Sequence, residues 1–284
     1  MDRPGPGGGL AGESYWDGVH GRPRPRAAPP HVRIARRLLP AAVRSRMSSY
    51  EDYLLWNSIY PKFLPSGKGL RVVEIGSAPG GHLTRMREVF GWEPFGVEAS
   101  PAGAALNRER FASAGIDPRN LIEGDIFDRD IAAPLAGSFD IVVSRGFIEH
   151  FPDPAPAIDR HLDLLAPGGT LVVSIPNMRG ANFLQARLLN PSIIPLHNRD
   201  IMRMDAFTAL FRDRQIETLF AGYYGTCNAG LFIHASGAGG RILRLGADAA
   251  QALLNLLMRL LLGKRGLESS LLSPNLLFIG RRND

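Results

Sequence analysis

Between residues 70 and 175, short apolar runs alternate with stretches of helical periodicity, and few architectures accept that rhythm. The runs fall at 70–75, 94–97, 121–122, 141–143 and 170–175, with helices expected from Gly81, Pro101 and Pro156. Brief, continuously apolar runs suit strands covered on both faces, and strands separated by helical segments suit repeated βαβ units. The chain should therefore fold as an α/β domain around a buried, mostly parallel sheet. Ahead of the first strand, Tyr53, Leu54, Trp56, Ile59 and Tyr60 recur at helical spacing, with Ser48 or Ser49 as N-cap and Pro61 as stop. Beyond Pro176 the pattern loosens into a helix near 205–214, a strand at 216–222 and a final strand at 275–280. No fixed-period repeat is present.

The 284 residues are 45% hydrophobic and 21% charged, enough to bury a sizeable core. The formal charge of +6 is localised. Arg3, Arg22, Arg24, Arg26, Arg33, Arg36, Arg37, Arg44 and Arg46 face only Asp2, Glu13 and Asp17 in the first fifty residues, and the remainder balances formally. Residues 1–48, rich in Pro, Gly and Arg, read as a mobile arm with one helical turn at 32–39, and residues 49–284 as the folded domain. A neutral domain predicts no nucleic-acid partner. Cys227 has no cysteine to pair with, and no secretory signal opens the sequence, which predicts a cytoplasmic protein.

Val72-Val73-Glu74-Ile75-Gly76-Ser77-Ala78-Pro79-Gly80-Gly81 carries a buried strand through a Gly-rich turn into a helix. Glycines let backbone approach a ligand, and a helix N-terminus offers free N–H groups. About twenty residues on, Phe95-Gly96-Val97-Glu98 ends the next strand with an acid able to bind a ribose diol. These two motifs alone fit a nicotinamide dinucleotide as well, leaving an NAD(P)-dependent oxidoreductase open.

The ordered series of Glu74 before the turn, Glu123-Gly124-Asp125-Ile126-Phe127 after the third strand and Phe139-Asp140-Ile141-Val142-Val143-Ser144 as the fourth resembles the class I S-adenosylmethionine-dependent methyltransferases from about Gly69 to Asn177. The resemblance implies a Rossmann-like fold with a mostly parallel seven-stranded sheet, and S-adenosylmethionine as cofactor. It implies that Glu74, Gly76, Ala78 and Gly80 hold the methionine part, Glu98 the ribose, and Asp125 with Ile126 the adenine. Leu164 to Ser174 matches the family's helix, turn and fifth strand.

Methyl transfer from a sulfonium needs mainly alignment, with a base where the acceptor loses a proton. Glu149 and His150 follow strand four at the carboxyl edge of the sheet, where open α/β folds place ligands, and are the catalytic candidates, His150 as general base or as a loop-orienting histidine. The pair resembles the Glu-His of quinone and small-molecule O-methyltransferases, some of which add an upstream Glu to hold a divalent metal. Gly146 occupies that position, so no metal is expected. His82, His161 and His234 read as structural, and His197 as a capping or acceptor-pocket residue beside Tyr223, Tyr224 and Cys227. The apolar helix expected over 247–262, with Asp248, Gln251, Asn255 and Arg259 as a polar stripe, would serve core packing, a homodimer or peripheral membrane contact. The expected function is O-methylation of a small-molecule, glycan or lipid-linked acceptor; RNA methylation and a non-catalytic cofactor-binding protein are the other readings.

Overall fold

The computed structural model of the protein describes residues 8–20, 49–228 and 237–283. Helix α1 (Glu13–His20) precedes α2 (Tyr50–Leu54) and α3 (Tyr60–Phe63), which a π-turn at Leu55–Ile59 joins. The alternating part is β1 (Arg71–Ile75), α4 (Gly81–Phe90), β2 (Glu93–Glu98), α5 (Pro101–Ser113), β3 (Leu121–Glu123), α6 (Arg129–Ala132), β4 (Phe139–Arg145), α7 (Ala155–Leu164) and β5 (Leu165–Pro176). Then follow α8 (Gly180–Leu189), α9 (Met204–Ala209), β6 (Ile216–Tyr224), α10 (Gly237–Leu262) and β7 (Asn275–Arg282).

One seven-stranded sheet runs β3-β2-β1-β4-β5-β7-β6, with β7 antiparallel to both β5 and β6 and the rest parallel. The central strands carry consecutive apolar residues because both faces are covered: Val73 and Val142 belong to one buried cluster, Val72, Ile141 and Val143 to the other. Phe278 of β7 stacks on Phe211 at 3.7 Å between ring centroids, tying the antiparallel edge into the core. Chain order reverses between β1 and β4, which opens a crevice at their carboxyl ends.

Several elements depart from the sequence expectation. Pro61 does not end the first helix but sits in the first turn of α3, where its missing N–H costs nothing; the π-turn before it absorbs the change of register. Strand β5 begins at Leu165, which pairs with Phe139 of β4, and the register resumes at Thr170, so Pro167-Gly168-Gly169 form an irregularity within the strand rather than a turn before it. Helix α8 was not expected; it is held by Ala181 N–H donating to Leu271 O and by Asn182 Nδ2 donating to Ser273 O. Within the expected arm, α1 packs on α5, while residues 32–39 lie outside the described residues.

Helix α10 is turned inside out. Its polar stripe faces the domain: Asn255 Oδ1 accepts from Tyr50 N–H and Gln251, and Arg259 donates to Ser49 O and lies over the Tyr53 ring. Leu254, Met258 and Leu262 pack with Tyr50 and Leu54, whereas Leu253, Leu257, Leu260 and Leu261 point outward, Leu261 being 79% exposed, so one face of the segment is core and the other is open. Among the described residues no helix is long and apolar enough to cross a membrane.

Candidate active site

The loop after β1 is built before any ligand enters. Gly76 (φ +70°) turns the chain, and Gly76 N–H and Ser77 N–H donate to Val97 O at 2.9 and 3.2 Å, tying the loop to β2. Gly80 (φ +79°) then caps α4 in the left-handed region. A Cβ there would collide with the Asn107 carboxamide, which reaches from α5 to donate to Ser77 Oγ at 2.6 Å. Gly80 is thus required by packing against α5 as well as by its place on the cavity wall.

Glu74, buried on β1, has Oε1 3.3 Å from His82 Nδ1, while Oε2 is enclosed and without a partner. His82 also meets the Tyr60 hydroxyl at 3.1 Å, and burial lowers its pKa, which favours the neutral ring. Glu98 accepts from Ala78 N–H at 3.0 Å and Ser100 N–H at 2.9 Å. Burial raises its pKa and these two bonds oppose the rise. A carboxylate offers about four acceptor sites, so two hydroxyls can still be received. Asp125 Oδ1 accepts from Phe127 N–H, fixing the turn after β3, and Ile126 is buried between core and cavity.

Two cavities meet here. One, of about 140 Å³, is bounded by Gly76, Ala78, Glu98, Asp125, Ile126 and Phe147, and roofed by Ala11, Trp16 and His20. The other, of about 520 Å³, is bounded by Glu74, Gly80, His82, Glu149, Ser174 and Asn275. Trp16, Gly76, Ala78, Arg145, Gly146 and His150 wall both. The roof is anchored where Leu10 N–H donates to His150 O and the Trp16 ring meets the His150 ring edge-on at 4.7 Å. The Arg145 side chain walls both cavities and has no hydrogen bond or ion pair among the described residues. Burial alone would lower its pKa; the nearby Tyr224, Tyr60 and Glu74 outweigh that and raise it.

Glu149 and His150 sit in a 3-10 turn at Ile148–His150, both buried. His150 Nδ1 lies 2.8 Å from Leu196 O, so it carries the proton and donates, leaving Nε2 as an acceptor 3.7 Å from Glu149 Oε1. Burial pushes Glu149 up to about 8; for His150, burial and the neighbouring His197 push it down to about 3. The His197 ring is 4.6 Å from that of His150, and its Nδ1 is held by Ile193 O at 2.7 Å.

The expected cofactor residues Glu74, Gly76, Ala78, Gly80, Glu98, Asp125 and Ile126 all border one or both cavities. His161 is structural, its Nδ1 donating to Ala157 O. Tyr223, Tyr224 and Cys227 border neither cavity, and His234 lies outside the described residues. Sequence reasoning missed Trp16, Arg145, Ser174 and Asn275. The Tyr15-Trp16 pair, aromatic within a Pro/Gly/Arg-rich stretch, was the available signal for the roof. The donor set fits S-adenosylmethionine in kind: the orphaned Glu74 oxygen suits an ammonium, and the Glu98 and Asp125 carboxylates on the smaller cavity suit the hydroxyls and amino group of a nucleoside.

Comparison with known proteins agrees. A family model described as a methyltransferase domain matches residues 47–223. A ubiquinone biosynthesis O-methyltransferase of Xanthomonas axonopodis is 31% identical over 118 residues, 42% of this chain and 48% of that protein. One of Xanthomonas campestris is 27% identical over 155 residues, 52% and 63%. The chain thus matches about half to two thirds of the length of these relatives. Among solved structures, geranyl diphosphate C-methyltransferase from Streptomyces coelicolor superposes with a TM-score of 0.51 at 14% identity, covering 82% of this chain and 78% of that one. The MccD protein superposes with a TM-score of 0.55 at 12% identity, covering 82% and 96%. With more than half its length matched by the family model and its sheet in the family's order, the chain belongs to the class I S-adenosylmethionine-dependent methyltransferases.

Proposed function

We propose that the protein transfers a methyl group from S-adenosylmethionine to a hydroxyl oxygen of a small-molecule acceptor. The observation that carries this reading is the junction of the two cavities, where Glu149 and His150 border the larger one and His150 both. Bound S-adenosylmethionine supplies an electrophilic methyl on a good leaving group, so the chain's task is alignment and removal of one proton. His150 Nε2 accepts the proton from the acceptor hydroxyl, and Glu149, 3.7 Å away, is the group of the pair with proton affinity near neutrality. Gly76, Gly80 and Ala78 seat the methionine part with Glu74 on its ammonium; Glu98 takes the ribose and Asp125 the adenine.

The acceptor carries an apolar tail. The exposed leucines of α10 continue into Leu267, Leu271 and Leu272, and then into Leu184 and Leu188 of α8. Leu271 O holds Ala181 N–H, and Asn177 Nδ2 donates to Ser273 O, so this surface adjoins the edge where Pro176 and Asn275 border the larger cavity. Exposed Lys264, Arg265 and Arg187 stand around it. An apolar face rimmed by cations suits the surface of an anionic membrane, and the relatives' names point to a quinone precursor.

Calorimetric titration with S-adenosylhomocysteine, with NAD(H) and NADP(H) in parallel, tests the class. Saturable binding of S-adenosylhomocysteine alone is expected, weakened about tenfold or more in Asp125→Ala, which loses a charge-assisted hydrogen bond of about 1.5–3 kcal/mol. Dinucleotide binding in its place would overturn the reading. A panel of phenols and catechols with and without prenyl tails then tests the acceptor.

A further inference from the structure

The Glu-x-x-Glu-His arrangement that would hold a hard cation is broken in this chain by Gly146, yet three other donors converge. One ligand atom each from Glu149, His150 and His197 lies within 4.8 Å of the other two. His197 arrives from the segment after the 3-10 turn Pro191–Leu196, far from the Glu149-His150 pair in sequence and adjacent in space.

Three features mark this as built rather than accidental. Glu149 is only 1% exposed, and its Oε2 is enclosed with no hydrogen-bond partner. Both imidazoles are oriented from behind by backbone carbonyls, His150 by Leu196 O and His197 by Ile193 O, which leaves each Nε2 as the free acceptor. Orientation by a carbonyl on the far ring nitrogen is the usual support of a metal-bound histidine. Finally, the cluster opens on the larger cavity through Glu149 and His150, giving a cation an entry path and room for further ligands.

We propose that Glu149, His150 and His197 form a binding site for one divalent transition-metal ion. Two imidazoles and one carboxylate favour zinc, cobalt, nickel or iron(II) over magnesium or calcium, which prefer oxygen donors. Bond lengths of about 2.0–2.2 Å require the three groups to close by less than about 1 Å. With an ion bound, His150 Nε2 would be a ligand and no longer a base, and the ion would instead lower the pKa of the acceptor's hydroxyl as a Lewis acid. Metal binding itself goes beyond the proposed O-methylation and would replace only its proton-accepting step.

Untagged full-length protein, stripped with a chelator, is titrated with Co²⁺ by visible absorbance and calorimetry, with Mg²⁺ in a parallel cell. One Co²⁺ per chain is expected, displaced by Zn²⁺ and not by Mg²⁺, with X-ray absorption reporting two imidazole ligands. His197→Ala and Glu149→Gln should each weaken binding by at least the roughly 10–100-fold that loss of a supporting partner costs. The proposal is overturned if the wild type binds neither Co²⁺ nor Zn²⁺ saturably, or if the bound metal shows no imidazole. A folded His197→Ala variant, verified by circular dichroism, that binds as the wild type does would overturn it equally. Titration of S-adenosylhomocysteine into the same metal-free protein separates the two readings, because its failure would remove the methyltransferase function and leave the metal site standing.

Discussion

Replacing Gly80 by alanine tests whether the cofactor loop is held by α5 or merely lies near it. At φ +79° an L-residue pays about 1–2 kcal/mol for the left-handed conformation. The added Cβ would also stand 3.0 Å from Asn107 Cγ and closer still to Oδ1, on a side chain that is wholly buried. Displacing that carboxamide breaks its bond to Ser77 Oγ and leaves a buried polar group unpaired, which costs a further 1–3 kcal/mol or so. The total is about 3 kcal/mol. With a urea m-value of roughly 3 kcal/mol/M for a domain of this size, the unfolding midpoint should fall by about 1 M. In an Asn107→Ala background the obstructing atoms are gone, so Gly80→Ala should cost only the backbone share, giving a coupling of about 1–2 kcal/mol in the double-mutant cycle. A Gly80→Ala loss below about 1 kcal/mol, or the same loss in both backgrounds, would refute the argument.

Trp16→Ala removes the ring above His150, an aromatic contact worth about 0.5–1.5 kcal/mol beyond its buried area, so the dissociation constant for S-adenosylhomocysteine should rise about two- to tenfold. An unchanged constant would mean the roof does not touch the ligand. His161 is fully buried, and burial holds its pKa near 4, with the Ala157 O bond opposing. It therefore stays neutral in the fold while the unfolded chain takes a proton below about pH 6.5, and stability should fall as pH drops from about 6.5 toward 4. Urea curves at pH 7 and 4.5 should diverge less in His161→Leu than in the wild type; equal divergence would remove His161 from the acid response. Replacing Leu257, Leu260 and Leu261 together by serine should leave stability within about 0.5 kcal/mol per site and abolish cosedimentation with anionic vesicles. Retained vesicle binding, or a dimer in the wild type that the variant loses, would reassign that face.

The parallel half of the sheet was legible because burial on both faces gives β1, β2, β4 and β5 consecutive apolar residues such as Val72-Val73 and Ile141-Val142-Val143, and the loop after β1 was legible because its glycines and flanking acids keep fixed spacing. Helix α8 was not, since its hold comes from Leu271 and Ser273, residues far along the chain. Periodicity located α10 but could not say which side faces inward. A stripe of Asn255 and Arg259 reads as solvent-facing until Tyr50 and Ser49 supply partners. His197 was separable from other loop histidines only by its distance to His150, which no spacing encodes. Nor could the sequence say that Asn107, a midhelix residue, enforces Gly80.

Leu10, Ala11 and Trp16 lie over the smaller cavity, and one of their anchors is the carbonyl of His150 itself. The strip beside the cofactor side is therefore fastened to the same short turn that carries Glu149 and His150, and a shift of either is passed to the other. A substitution that loosens the strip should disturb kcat together with cofactor affinity, rather than affinity alone.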